Sequence, residues 1–208
     1  MKFEKGVPEG WEFVKFGKLI NLTMGQSPPS QFYNTVGEGL PFNQGVGTYG
    51  GRFPKKQIYC SVSGRIAIKG DILFSVRAPV GRLNIADCKM TIGRGLAAIN
   101  HKKKYNSYLY YMLKTYFSDE DIIGNGAIFN SVGKDELNNF QVLNPTEDLV
   151  ESYNEIVSKL DLEIEKLHGK LKVLTQSRSL LLSRLISGKL SVEDLDIKFP
   201  KSMEDSGA

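Results

Sequence analysis

Twelve lysines and arginines lie between positions 50 and 104, set against only two acids, Asp71 and Asp87. Such a set neutralises phosphate rather than moving protons, and a focused positive patch is the electrostatic footprint of a nucleic-acid-binding surface. Charge alone leaves a solvated basic face equally open. The groupings that catalysis needs are weaker. The stretch Gln44-Gly45-Val46-Gly47-Thr48-Tyr49-Gly50-Gly51-Arg52 is rich in glycine, but it lacks the Gly-Lys-Ser/Thr ending and the following helix pattern of a nucleotide-binding loop. It reads as a flexible loop whose bare backbone can lie against phosphate. Asp71 sits in Gly70-Asp71-Ile72-Leu73-Phe74, the pattern of a turn entering a buried strand. Asp119, Glu120 and Asp121 are consecutive, so at a helix end they point apart and form no acid–base pair. A metal-dependent nuclease needs acids converging within the basic half, which has almost none. His101 and His168 lie far apart without ligand-spaced neighbours and read as surface residues. No methyltransferase cofactor loop or Asn-Pro-Pro-Tyr motif is present. The expectation is a binding protein, not an enzyme, with no catalytic residue, cofactor or metal of its own.

The elements that must position the basic residues fall into two parts. Residues 1–145 carry 18 Lys/Arg and 11 Asp/Glu, whereas residues 146–208 carry 9 and 12. Before Asn144-Pro145 the chain is rich in glycine, aromatic and β-branched residues, with strand-like runs at 11–16, 57–61, 65–68, 71–76, 82–85 and 96–99. A helix is expected over about 107–117, with Leu109, Met112, Leu113 and Tyr116 on one face. This predicts a mixed α/β domain (α+β) with a twisted β-sheet. The hydrophobic share of 41% and charged share of 24% suit a folded chain. No apolar run approaches the ~20 residues of a membrane helix, and the first residues lack the apolar stretch of a secretory signal. Cys60 and Cys88 suit a reduced compartment. A cytoplasmic protein without a membrane segment is expected.

After Pro145 the pattern changes. Asn144 is the expected N-cap, Pro145 the first helical residue, and Glu147 and Asp148 favour the positive end of a helix. Val150, Tyr153, Val157, Leu160, Ile164, Leu167, Leu171, Leu174, Arg178, Leu181 and Leu185 then alternate spacings of three and four. A seam this long at a 3.5 period predicts a coiled coil interrupted by one polar residue, Arg178. Gly188 is the expected stop, which gives a helix about 65 Å long over 145–187 at ~1.5 Å rise per residue. Its stripe needs cover from a second chain or from its own domain. The expected division is a basic mixed α/β domain at 1–144, a long coiled-coil helix at 145–189, and a polar tail at 190–208.

Several motifs in order carry a family resemblance. Pro8-Glu9-Gly10-Trp11-Glu12 with Phe16-Gly17-Lys18-Leu19, and Gly25-Gln26-Ser27-Pro28-Pro29-Ser30 with Tyr33-Asn34, open the series. Gly39 to Gly45 (Gly-Leu-Pro-Phe-Asn-Gln-Gly), Gly70 to Gly81, Asn84 to Asp87 and Ile92 to Ile99 continue it, and Leu180 to Leu190 closes it. Over roughly 7–192 the chain resembles the specificity subunit of Type I restriction–modification systems. The resemblance implies a target recognition domain that reads DNA, followed by the family's conserved helix. The family's usual subunit has two of each and this chain has one, so a half-subunit form is implied. It further implies these partners: double-stranded DNA, a methyltransferase subunit that supplies S-adenosylmethionine chemistry, a restriction subunit, and a second copy joined as a homodimer through an antiparallel coiled coil. The DNA-contact candidates are Arg52, Lys55, Lys56, Arg65, Lys69, Arg77, Arg82, Arg94, Lys102 and Lys103. The dimerisation candidates are Val157, Leu160, Ile164, Leu167, Leu171, Leu174, Arg178 and Leu181. Base-reading side chains are expected within 48–65 and 101–105. A stand-alone DNA-binding repressor and a coiled-coil scaffold that binds no DNA remain the alternatives.

Overall fold

Two strands with no polar face organise the first part of the chain. Ile72, Leu73 and Phe74 are all fully buried, as are Leu96, Ala97 and Ile99. Successive side chains point to opposite faces of a strand, so Ile72, Phe74, Ala97 and Ile99 enter one apolar cluster while Leu73, Leu96 and Ala98 enter another. A near-continuous apolar run is what burial on both faces demands.

The computed structural model of the chain describes residues 3–4, 7–117 and 131–190. The run Asp119-Glu120-Asp121 and the expected tail beyond residue 190 lie outside them. The chain divides into two compact units, Met1–Lys159 and Leu160–Ala208. In chain order the elements are β1 (Phe3–Glu4), β2 (Val7–Pro8), β3 (Glu12–Lys15), α1 (Phe16–Leu19), β4 (Ile20–Met24), β5 (Tyr33–Asn34) and β6 (Leu40–Asn43). They continue with β7 (Tyr59–Cys60), β8 (Ile66–Ala67), β9 (Ile72–Ser75), β10 (Leu83–Ile85), β11 (Met90–Ile92), β12 (Leu96–His101) and α2 (Asn106–Tyr116). The last are α3 (Lys134–Asn139), β13 (Gln141–Asn144) and α4 (Glu147–Ile186). Two short 3-10 turns, Ser30–Phe32 and Val46–Thr48, sit in the long loops.

The strands form a four-stranded sheet ordered β10-β9-β12-β4, a five-stranded sheet ordered β5-β7-β6-β11-β8, and two-stranded pairs β1-β2 and β13-β3. β12 pairs antiparallel with β9 (Ala98 opposite Leu73) and with β4 (Ile99 opposite Leu22). β11 and β6 pair in parallel, with Thr91 opposite Phe42. The turn Gly93-Arg94-Gly95 passes the chain from the five-stranded sheet to the four-stranded one. α2 covers the first cluster with Leu109 and Leu113, joined there by Phe16, Leu137, Val142 and Val150. The expected mixed α/β domain and long helix are present, with the strands divided between two larger sheets.

Three local expectations need correction. Asn144 is not a helix cap: it ends β13 opposite Glu12, and the α4 ladder starts two residues later, where the Leu149 and Val150 N–H groups donate to the Thr146 carbonyl. His101 is not a surface residue. It is 6% exposed, stacked on Tyr105 at 5.1 Å, and its Nδ1 accepts from the Lys103 N–H. The glycine-rich loop is not loose chain but carries a 3-10 turn and the bridge Tyr49–Pro54.

α4 is 40 residues long, about 60 Å at ~1.5 Å per residue. Gly188 ends it with φ +67°. Its N–H donates to the Leu185 carbonyl while the Lys189 N–H reaches back to Arg184, the paired bonds of a Schellman stop.

Candidate nucleic-acid interface

The glycine-rich loop is held from below by a second glycine pair. Gly93 N–H donates to the Asn43 carbonyl at 2.8 Å and Gly95 N–H to the Gln44 carbonyl at 3.1 Å. A Cβ at Gly95 would come within 2.5 Å of the Gln44 oxygen, so only glycine lets the turn approach this closely. The far end of the loop is fastened too. Gly50 N–H donates to Phe53 O at 3.1 Å, Lys55 N–H to Thr48 O at 2.7 Å, and Ile85 N–H to Arg52 O at 2.8 Å. The Tyr49 hydroxyl donates to Leu73 O at 2.8 Å, and burial raises the Tyr49 pKa above its ordinary value.

Ser75 shapes the neighbouring loop. Its buried hydroxyl donates to Pro79 O at 2.6 Å and accepts from Arg82 N–H at 2.8 Å. Gly81 turns the chain with φ +85°. This sets exposed Arg77 and Arg82 on a tight loop after β9. Arg94 stands on the turn between β11 and β12, its N–H donating to Ser27 Oγ at 3.1 Å.

Two clefts flank the glycine-rich loop, and Val46 lines both. One, of about 310 Å³, brings Arg77 and Arg94 together with Gln44, Gly45 and Gly47. The other, of about 470 Å³, brings Arg82 and Lys114 together beside Tyr49, Tyr110 and Phe117. Arg52 binds inward against α2: its Nη1 donates to the Tyr111 hydroxyl at 3.2 Å.

The other candidates lie apart from these clefts. Lys55 is exposed, whereas Lys56 is ion-paired with Asp87 at 2.7 Å. Burial alone would lower the Lys56 pKa, but the hydrogen bond and charge of Asp87 outweigh it and raise it. Arg65 and Lys69 are exposed on either side of β8. Lys102 donates through Nζ to the Gly17 and Lys18 carbonyls, and Lys103 pairs with Glu147. Asp71 serves the fold: its carboxylate accepts from Ile68 N–H and from Asn100 Nδ2, both at 2.9 Å, and burial raises its pKa against those bonds. Sequence reading missed Gln44 and Lys114 as lining residues and Ser75 as the organiser of the arginine loop. Gln44 lies inside the Gly39–Gly45 motif, but nothing local marks it as facing a cleft.

On α4, Val150 is buried and Val157 half-buried. Beyond them the seam is open, with Leu160, Leu167, Leu171, Leu174 and Leu181 each more than half exposed and Ile164 and Arg178 exposed as well.

Residues 8–176 match the family of the Type I restriction modification DNA specificity domain. The chain is 35% identical over 191 residues to the MjaX type I restriction enzyme specificity subunit of Methanocaldococcus jannaschii, covering 90% of this chain and 45% of that protein. It is similar to a chain in a solved structure concerned with complex assembly and conformational transition of the type I R-M system, with TM-score 0.64 and 34% identity over 86% of this chain and 44% of that one. It is also similar to the crystal structure of the HsdS subunit from Thermoanaerobacter tengcongensis, with TM-score 0.62 and 32% identity over 88% and 46% of the two chains. The chain thus spans about half the length of the relatives it matches. With the recognition motifs, the mixed α/β fold and the long helix all in place, this chain belongs to the Type I restriction modification DNA specificity domain family.

Proposed function

We propose that this chain supplies DNA sequence specificity to a type I restriction–modification assembly. It reads one half of a two-part target, pairs with a second copy through α4, and presents the DNA to methyltransferase and restriction subunits that carry the chemistry. The observation that carries this reading is the cleft shared by Arg77 and Arg94 beside the glycine-rich loop. Two arginines in one concave site are suited to phosphate, which guanidinium groups bind through paired N–H donors. The open seam from Leu160 to Leu181 supports the pairing, because leucines at a 3.5 spacing are stabilised by burial against a matching helix.

The test is DNA binding of the purified chain across a salt series, alone and with the methyltransferase subunit of the same system. The proposal expects affinity that falls steeply with salt and a complex that co-purifies with the methyltransferase. Tight sequence-specific binding that the methyltransferase neither joins nor alters indicates a repressor instead. No salt-dependent affinity in either state indicates a scaffold.

A further inference from the structure

Glycine is used in two ways along the 44–51 loop and its support. At Gly50, Gly93 and Gly95 a Cβ would strike neighbouring backbone at 2.4, 2.9 and 2.5 Å, so the fold itself demands glycine there. Among the described residues a Cβ at Gly45 or Gly47 would meet nothing within 4 Å, and neither residue has positive φ. Gly45 has φ −177°, extended backbone that any residue adopts. Neither their conformation nor packing against the described residues calls for glycine at these two positions, and each carries the entropic cost of ordering a glycine. Both line the cleft that holds Arg77 and Arg94. Among the described residues, neither guanidinium has a hydrogen-bond or ion-pair partner.

We propose that this cleft seats a phosphodiester of duplex DNA, gripped by Arg77 and Arg94, and that Gly45 and Gly47 are bare so that the strand can lie directly against the loop backbone. The inference rests on the DNA-reading function proposed above and assigns this site a sequence-independent share of it. Phosphate contacts set the register of a protein on a duplex, while base contacts elsewhere give specificity. The frame suits such a task. The Gln44 carbonyl is tied to Gly95 and the Asn43 carbonyl to Gly93, so the loop is presented by the paired strands β6 and β11 and needs no ordering when DNA arrives.

The test compares the full chain with Gly45→Ala/Gly47→Gln and with Arg77→Ala/Arg94→Ala on a specific duplex, on an unrelated duplex, and on duplexes carrying single neutral methylphosphonates. The glycine variant should keep or raise its melting temperature, since side chains enter open space and the unfolded chain loses freedom. It should nonetheless lose affinity for both duplexes. The arginine variant should bind both about ten-fold or more weakly, as charge-assisted hydrogen bonds are lost. Its salt slope should fall by about one. One methylphosphonate position should weaken the wild type and leave the arginine variant unaffected. A glycine variant with unchanged DNA affinity overturns the inference, as does an arginine variant that changes the preferred sequence while keeping its salt slope. Tight binding of inorganic phosphate that both variants retain also overturns it. Failure of the wild type to bind DNA at all overturns the underlying function, and is read separately.

Discussion

The guanidinium carbon of Arg52 lies 4.5 Å from the centre of the Tyr110 ring. Its Nη1 also donates to the Tyr111 hydroxyl, and the two rings meet edge to face at 5.2 Å. Arg52 thereby fastens the end of the glycine-rich loop to α2. Replacing it with alanine removes a partly desolvated cation–π contact, at a cost of about 1–2 kcal/mol. Urea unfolding should show that loss. Arg52→Lys should recover it only in part, because an ammonium cannot stack as a planar guanidinium does.

His101 ties stability to pH. Burial, followed by the charge of Lys103, pushes its pKa down to about 4 from 6.5, with Glu147 acting in the opposite sense and Lys102 adding to the fall. The unfolded chain therefore binds a proton across this interval that the folded chain refuses. The stability tied to neutral His101 is whole above about pH 6.5 and is lost as pH falls towards about 4, with a slope of at most about 1.4 kcal/mol per pH unit for one proton. His101→Asn keeps an acceptor near the position of Nδ1 and cannot titrate. Its melting temperature should fall less than that of the wild type between pH 6.5 and pH 4. Parallel curves would remove His101 as the cause.

Much of the fold was legible because it follows local rules. The apolar runs at 71–76 and 96–99 become β9 and β12, and the three-and-four spacing after Pro145 becomes one continuous helix that stops at Gly188. β6 was not legible: its sequence is Leu40-Pro41-Phe42-Asn43, where a proline and a buried asparagine break the apolar pattern. In β11, Thr91 is wholly buried and interrupts the run in the same way. The missed strands gain their place from pairing with distant chain, which no short window records. The cleft has the same origin. Arg77 and Arg94 stood out by type, but their meeting with Gln44 depends on the parallel β6–β11 pairing and the close approach of Gly95.

Lys55 and Lys56 are neighbours with different prospects. Lys55 is exposed, while Lys56 holds Asp87 at 2.7 Å. If the loop faces DNA, Lys55→Ala should reduce the salt slope of binding by about one. Lys56→Ala should act mainly on stability, because it strips Asp87 of its cation in a half-buried site. Binding isotherms at several salt concentrations, beside thermal melts, separate the two effects. Equal effects of both variants on the salt slope would contradict the distinction.

The open seam of α4 predicts association. Leu167 and Leu174 are 61% and 65% exposed in the single chain. Changing both to aspartate places unpaired charge where two helices would meet, a costly burial. Sedimentation should show the wild type as a dimer and the variant as a monomer, with the first unit still folded. An unchanged mass would show that α4 does not join two copies.

The most direct measurement is a map of methylated sites in DNA exposed to this chain together with the methyltransferase subunit of its system. Two copies related by a two-fold axis should direct methylation to two inverted half-sites separated by a constant number of unspecified base pairs. Arg77→Ala/Arg94→Ala should lower the extent of methylation and leave that motif unchanged. A methylation pattern that is the same with and without this chain, or a single uninterrupted motif, would contradict the account.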